Sequence, residues 1–169
     1  MIKYWSYIDE YKKYRLKILN SIDRVLKSGN LFFGKELREF EKEFIKINKL
    51  NYGVAVGSGT DAILLALKAL NIGDNNNDEV ITVSNTAIPT VSAIISAGAK
   101  PVFVDIGKDY LIDTKEIKKK INKNTKAIIL VHLYGNPASI LQIKKLVKRK
   151  NIKIIEDCAQ AHGTKFFGK

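Results

Sequence analysis

Cysteine, histidine and proline are scarce in this chain. One cysteine, Cys158, in 169 residues cannot form an intramolecular disulfide, and with only His132 and His162 beside it no zinc-ligand spacing exists, so no structural metal is expected. The three prolines, Pro89, Pro101 and Pro137, are dispersed, and no repeat, low-complexity tract or Gly/Ser linker divides the sequence. There is also no apolar run of membrane-spanning length. The opening MIKYWSYIDEYKKYRLK mixes aromatic and charged residues without a small-residue cleavage site, which argues against a secretory signal. A cytoplasmic protein with no membrane partner is the expectation.

Acidic residues are outnumbered, 17 against 29 Lys and Arg, giving a formal charge of +12. Such a charge raises the question of nucleic acid. The basic residues gather in two stretches, Lys115 to Lys126 and Lys144 to Lys153, where they alternate with Ile, Leu and Val at helical spacing. That pattern describes the solvated outer faces of helices. No binding motif is present and no aromatics are interleaved with the basic runs, so no nucleic-acid partner is expected.

At 46% hydrophobic residues the chain can bury a core. Periodicity predicts a helix over Ile8 to Lys27, a turn at SGNLFFG, and a second amphipathic helix over Lys35 to Ile47. Short apolar runs of strand length then follow: YGVAV, EVITV, KPVFVD, KAIILVHL and IKIIED. They alternate with helical stretches at DAILLALKAL, AIPTVSAIISAG, DTKEIKKKI and SILQIKKLVKRK. Strands apolar on both faces, each followed by a helix, imply an α/β fold with a mostly parallel sheet and helices on both faces. The organisation expected is an amino-terminal helical segment over residues 1–48 and an α/β body over residues 49–169. In such sheets ligands sit at the carboxyl edge, so the loops Gly57 to Asp61, Ser84 to Pro89 and Asp157 to Gly163 are expected to converge on one pocket.

The first of these loops, VGSGTDAILLAL, places glycines and hydroxyls before a helix opening at about Asp61. Exposed N–H groups there, with Ser58 and Thr60, could cradle a phosphate; an ordinary turn with a Ser or Thr cap fits equally well. It is neither a P-loop, lacking the lysine, nor a G-x-G-x-x-G fingerprint. In the last loop, IIEDCAQAHGT, a buried hydrophobic strand is expected to deliver Asp157 at its end, where a carboxylate calls for a cationic partner. A protonated pyridinium nitrogen would be one. Gln160 could then donate to a phenolate oxygen on the same ring; the competing reading makes Asp157 a helix cap and leaves Gln160 in solvent.

With SGNLFFGKELREFEKEF, VGSGTDAILLALKAL, AGAKPVFVDI, VHLYGNPASI and IIEDCAQAHGT in this order, nearly the whole chain resembles the DegT/DnrJ/StrS group of sugar aminotransferases. The resemblance implies part of the large domain of the aspartate aminotransferase fold type, with pyridoxal 5'-phosphate (PLP) as cofactor. It implies that Gly59 and Thr60, with Ser58, hold the cofactor phosphate, that Asp157 pairs with the pyridine nitrogen and that Gln160 contacts the ring oxygen. It further implies a nucleotide-linked keto-sugar and an amino donor such as glutamate as substrates, and a homodimer at full length. Beside these, His162 is placed near the cofactor or in the turn, His132 is given no catalytic role, and Cys158 is read as a buried, inert thiol.

Two departures from the family's pattern qualify what it implies. Ala87 stands where an aromatic residue commonly stacks on the cofactor. The T-A-x-x-T run at Thr86 to Thr90 is similar to that of relatives that aminate carbon 3 of dTDP-linked 3-keto-6-deoxyhexoses, although those usually carry a ring-bearing residue in place of Asn85. The second departure is that the family's Schiff-base lysine follows these 169 residues, since Lys165 and Lys169 do not match its context. No catalytic residue is therefore assigned within the chain, and the polypeptide alone is expected to be inactive. A dehydratase of the same family, or a non-enzymatic remnant or regulatory relative, stays open as an alternative.

Overall fold

A computed structural model describes residues 6–168. The chain forms two compact units, one up to Ala55 and one from Val56 onward. In the first, helix α1 runs over Ile8–Ser28 and ends on Gly29, whose φ of 68° is the left-handed conformation that closes a helix cheaply only at glycine. Helix α2 spans Lys35–Asn48. Both helices carry the 3.6-residue apolar spacing of their sequences, yet neither contains a fully buried residue.

The second unit is built on four parallel strands, β1 (Glu79–Val83), β2 (Lys100–Val104), β3 (Thr125–Val131) and β4 (Lys153–Asp157), in the order β2-β1-β3-β4. Helices α3 (Gly59–Ala69), α4 (Ile88–Ser96), α5 (Thr114–Lys120) and α6 (Ile140–Val147) connect or flank them. Alternate side chains enter two separate cores, as a two-residue period requires. Ile81, Val83, Ile128 and Leu130 pack with Ile117 and Ile143 of α5 and α6, while Val80, Ala127 and Ile129 pack with Ile63, Leu67 and Ile94 of α3 and α4. Helices therefore cover both faces, as the apolar strands predict.

The chain leaves β1 for β2 on one side and returns for β3 on the other. In open α/β sheets such a reversal, which here lies at the carboxyl ends of β1 and β3, is the usual ligand position. On the α3 and α4 side, two turns meet backbone to backbone: Gly73 (φ 94°) and Gly98 (φ 90°) face one another, and a Cβ on either would overlap the other turn's main chain. Only glycine fits both the conformation and the space.

Two sequence expectations need correction. Tyr52 to Val56 forms no strand, and Tyr52 and Val54 are exposed, since the segment has no ladder partner among the described residues. Strand β4 is not buried. It lies at the sheet's edge, with Lys153 and Glu156 exposed and Ile154, Ile155 and Asp157 half-buried, because only β3 pairs with it. The basic stretches do sit outward: Lys115, Lys118, Lys119, Lys120, Lys144, Lys145 and Lys148 are all exposed. Among the described residues no helix is long and apolar enough to cross a membrane.

Candidate functional site

Three of the loops at the carboxyl edge interlock through side chains. Asp157 is the last residue of β4, in register with Val131 of β3. Its Oδ2 accepts a hydrogen bond from Thr90 Oγ1 at 3.0 Å and its Oδ1 one from the Ala159 N–H at 3.2 Å. An ionised carboxylate offers about four acceptor positions, so two remain. Thr90 belongs to the first turn of α4, after β1, and β1 is not adjacent to β4. The bond thus reaches across the end of β3.

The β3 loop completes the arrangement. His132 N–H donates to the Asp157 carbonyl at 3.1 Å, continuing the ladder by one bond. Gln160, exposed, accepts the Tyr134 N–H on its Oε1 at 2.9 Å, and Thr164 Oγ1 donates to the Gly135 carbonyl at 3.0 Å. With its oxygen engaged, the Gln160 amide turns its NH₂ group, a donor only, elsewhere. Tyr134 holds φ 57°, an uncommon conformation for a non-glycine residue, and presents its N–H to Gln160 from it.

Behind Asp157, the buried His132 ring links two elements. Its Nε2 meets Glu156 Oε2 at 3.0 Å, and its Nδ1 accepts the Ala138 N–H at 2.9 Å. Hydrogen bonding to Cys158, and next to Glu156, favours charge on His132, while burial opposes it. The same bond from His132 holds Glu156 below the usual carboxylate range. The Ala138 N–H facing Nδ1 opposes a second ring proton, so the geometry favours the tautomer with its proton on Nε2, shared with Glu156. Cys158 is exposed, which corrects the expectation of a buried thiol: the chain turns out into solvent immediately after the edge strand. His132, Ala138, Glu156, Cys158 and Phe166 line a cavity of about 120 Å³. Ligand pockets begin at roughly 300 Å³, so a cofactor would not fit there. His162 is exposed in the turn that follows.

The Ser58–Thr60 segment forms the start of α3, two residues earlier than the sequence suggests. Ser58 caps the helix: its Oγ accepts the Asp61 N–H at 3.1 Å and donates to Asp61 Oδ2 at 2.8 Å. The Ser58 hydroxyl is therefore already engaged. The Gly59 and Thr60 N–H groups are first-turn donors of the kind that have no intrahelical partner. Gly59 has no positive φ, and a Cβ there would meet nothing within 4 Å. Neither conformation nor packing among the described residues requires glycine at this helix start. Helix α3 packs against α4 and β4. No hydrogen bond among the described residues joins Ser58, Gly59 or Thr60 to Asp157 or Gln160.

A carboxylate at the end of a parallel strand, an amide beside it and an open helix start match the needs of PLP: a cationic ring nitrogen, a ring oxygen and a phosphate. No group of three or more His, Cys, Asp and Glu side chains among the described residues is placed to hold a metal. Sequence reasoning missed Thr90 and Thr86, because nothing in TAIPT shows that hydroxyls after one strand reach the end of another. It also missed the His132–Glu156 pair, for which adjacent strand ends in a parallel sheet were the available clue.

The architecture is that of the large domain of PLP enzymes of the aspartate aminotransferase fold type. S. venezuelae DesV, solved in complex with a ketimine intermediate, matches 99% of this chain and 45% of its own with a TM-score of 0.95 at 37% identity. The chain belongs to the DegT/DnrJ/EryC1/StrS aminotransferase family, whose profile matches residues 13–169. It is 43% identical over 166 residues to dTDP-3-amino-3,4,6-trideoxy-alpha-D-glucose transaminase of Micromonospora megalomicea subsp. nigra, covering 98% of this chain and 44% of that protein. A GDP-4-keto-6-deoxymannose-3-dehydratase, solved with a trapped PLP-glutamate geminal diamine, matches at 29% identity and a TM-score of 0.79, over 99% of this chain and 42% of its own. The chain spans less than half the length of these relatives.

Proposed function

We propose that this chain supplies the phosphate and ring contacts of a PLP-dependent transaminase that aminates a nucleotide-linked keto-sugar. The observation that carries the reading is Asp157, a carboxylate at a strand's carboxyl end whose two oxygens are oriented by Thr90 and Ala159 while two acceptor positions stay open. Asp157 would hold the ring nitrogen protonated, Gln160 would donate its NH₂ to the ring oxygen, and the Gly59 and Thr60 N–H groups would receive the phosphate at the positive end of α3. When bound, the cofactor supplies an electron sink for cleavage of a carbon–hydrogen bond beside nitrogen. Ser58 contributes indirectly, by capping α3 and so fixing those two N–H groups.

The relatives' substrates favour a dTDP-linked 3-keto-6-deoxyhexose as acceptor and an amino acid such as glutamate as donor, in a cytoplasmic homodimer. Residues 1–169 do not contain the family's reacting lysine by our reading of its context, so that polypeptide alone would turn over no sugar. Sugar amination by it, once purified, would contradict this assignment.

The reading is tested by absorbance titration of the full-length protein with PLP. Binding should produce a shifted cofactor band, and Asp157→Ala should weaken binding by tenfold or more, on the order of a lost charge-assisted bond. Unchanged affinity in Asp157→Ala would remove the assignment. The dehydratase reading shares this fold and cofactor; it predicts loss of the sugar's C3 hydroxyl with no amine gained, which product analysis decides.

A further inference from the structure

Helix starts in the second unit differ in how they use hydroxyl and carboxylate groups. Ser58 caps α3 and Asp113 caps α5, each accepting a backbone N–H of its own first turn. Helix α4 has Ala87 at its cap, which makes no side-chain bond. A Ser, Thr or Asp there would add about 1 kcal/mol. The hydroxyls that flank this position, Thr86 and Thr90, turn instead to one another and to Asp157.

Their polarity follows from counting protons. A threonine hydroxyl has one proton, and Thr90 gives its proton to Asp157 Oδ2, an acceptor only when ionised. The 2.9 Å contact between Thr86 Oγ1 and Thr90 Oγ1 must then run from Thr86 to Thr90. The chain Thr86–Thr90–Asp157 is directed toward the carboxylate, and Thr90 is 1% exposed, so water does not compete for its bond. A donor whose own oxygen accepts a bond is strengthened by it.

We infer that Thr90, backed by Thr86, is a positioning residue for the proposed cofactor: it fixes the orientation of the Asp157 carboxylate, and thereby its alignment with the ring nitrogen. The inference rests on the PLP reading above.

The test uses the full-length protein with Thr90→Val, Thr90→Ser and Thr86→Val. In cofactor-free protein the Asp157 carboxyl ¹³C resonance should move in Thr90→Val and overlay wild type in Thr90→Ser. On titration with PLP, Thr90→Val should bind about tenfold more weakly, Thr90→Ser within about twofold of wild type, and Thr86→Val about threefold more weakly. With PLP labelled at the ring nitrogen, the ¹⁵N resonance of Thr90→Val should shift toward the unprotonated form. A merely structural threonine would lower the melting temperature and leave that resonance in place. If wild type binds PLP and Thr90→Val matches Thr90→Ser in affinity and in both resonances, the inference is overturned alone; if wild type does not bind PLP, the cofactor reading falls and the inference with it.

Discussion

The two units obey the same local rules and reach different ends. In the first, α1 and α2 have apolar stripes, helix-closing residues and acidic residues in their first turns, yet no side chain in either is fully buried, and Phe32 and Phe33 between them are more than 80% exposed. In the second, Ile81, Ile94, Ile128, Ile129 and Leu130 are wholly buried. The difference lies in contact range. A helix forms from bonds four residues apart, whereas a core needs surfaces brought together from distant parts of the chain, and a parallel sheet with crossover helices does this at its central strands β1 and β3.

The strongest way to break the comparison is to attack the close approach of two turns. Gly98→Ala would place a methyl against the Gly73 carbonyl at positive φ, and should cost about 4 kcal/mol in urea unfolding of the full-length protein. A change below about 1 kcal/mol would mean that the turns separate easily. Next, Ile129→Ala should cost about 3 kcal/mol through lost burial and the cavity it leaves. At the opposite end, Phe32→Ala in the first unit should change stability by less than about 0.5 kcal/mol; a core-sized loss there would show that this unit holds a packed interior of its own.

Between these in size is a pH effect that belongs to the second unit alone. Lowered Glu156 contributes stability that is complete above its ordinary 4.5 and is lost as pH falls further. Wild type should therefore exceed Glu156→Gln in melting temperature above the ordinary 4.5 of a glutamate, the margin narrowing as pH falls below it. Solvent at the half-exposed Glu156 keeps the margin below about 1 kcal/mol. A difference that stays flat from about pH 7 to about pH 3 would show that His132 does not favour the ionised Glu156.

Much of the architecture was legible before any coordinates. The helices over Ile8–Ser28 and Lys35–Asn48 and the strands from Glu79 onward lie within a few residues of their periodic signals. The exceptions are instructive. YGVAV has strand composition but no ladder partner among the described residues, and IKIIED reads as buried but lies at an edge, because hydrophobicity does not report which strands are neighbours. Cys158, read as a buried thiol from the family resemblance, is exposed for the same reason.

What the sequence determined by itself is the set of elements, the parallel α/β class and the loops that carry polar chemistry, since these follow from local periodicity and from residue types at strand ends. Tertiary structure alone decided which polar groups meet. Thr90 reaches Asp157 across 67 positions, and His132 reaches Glu156 across 24. Strand order sets those meetings, and strand order arises from the packing of two cores against one sheet, a sum of many weak contacts that no short stretch of sequence contains.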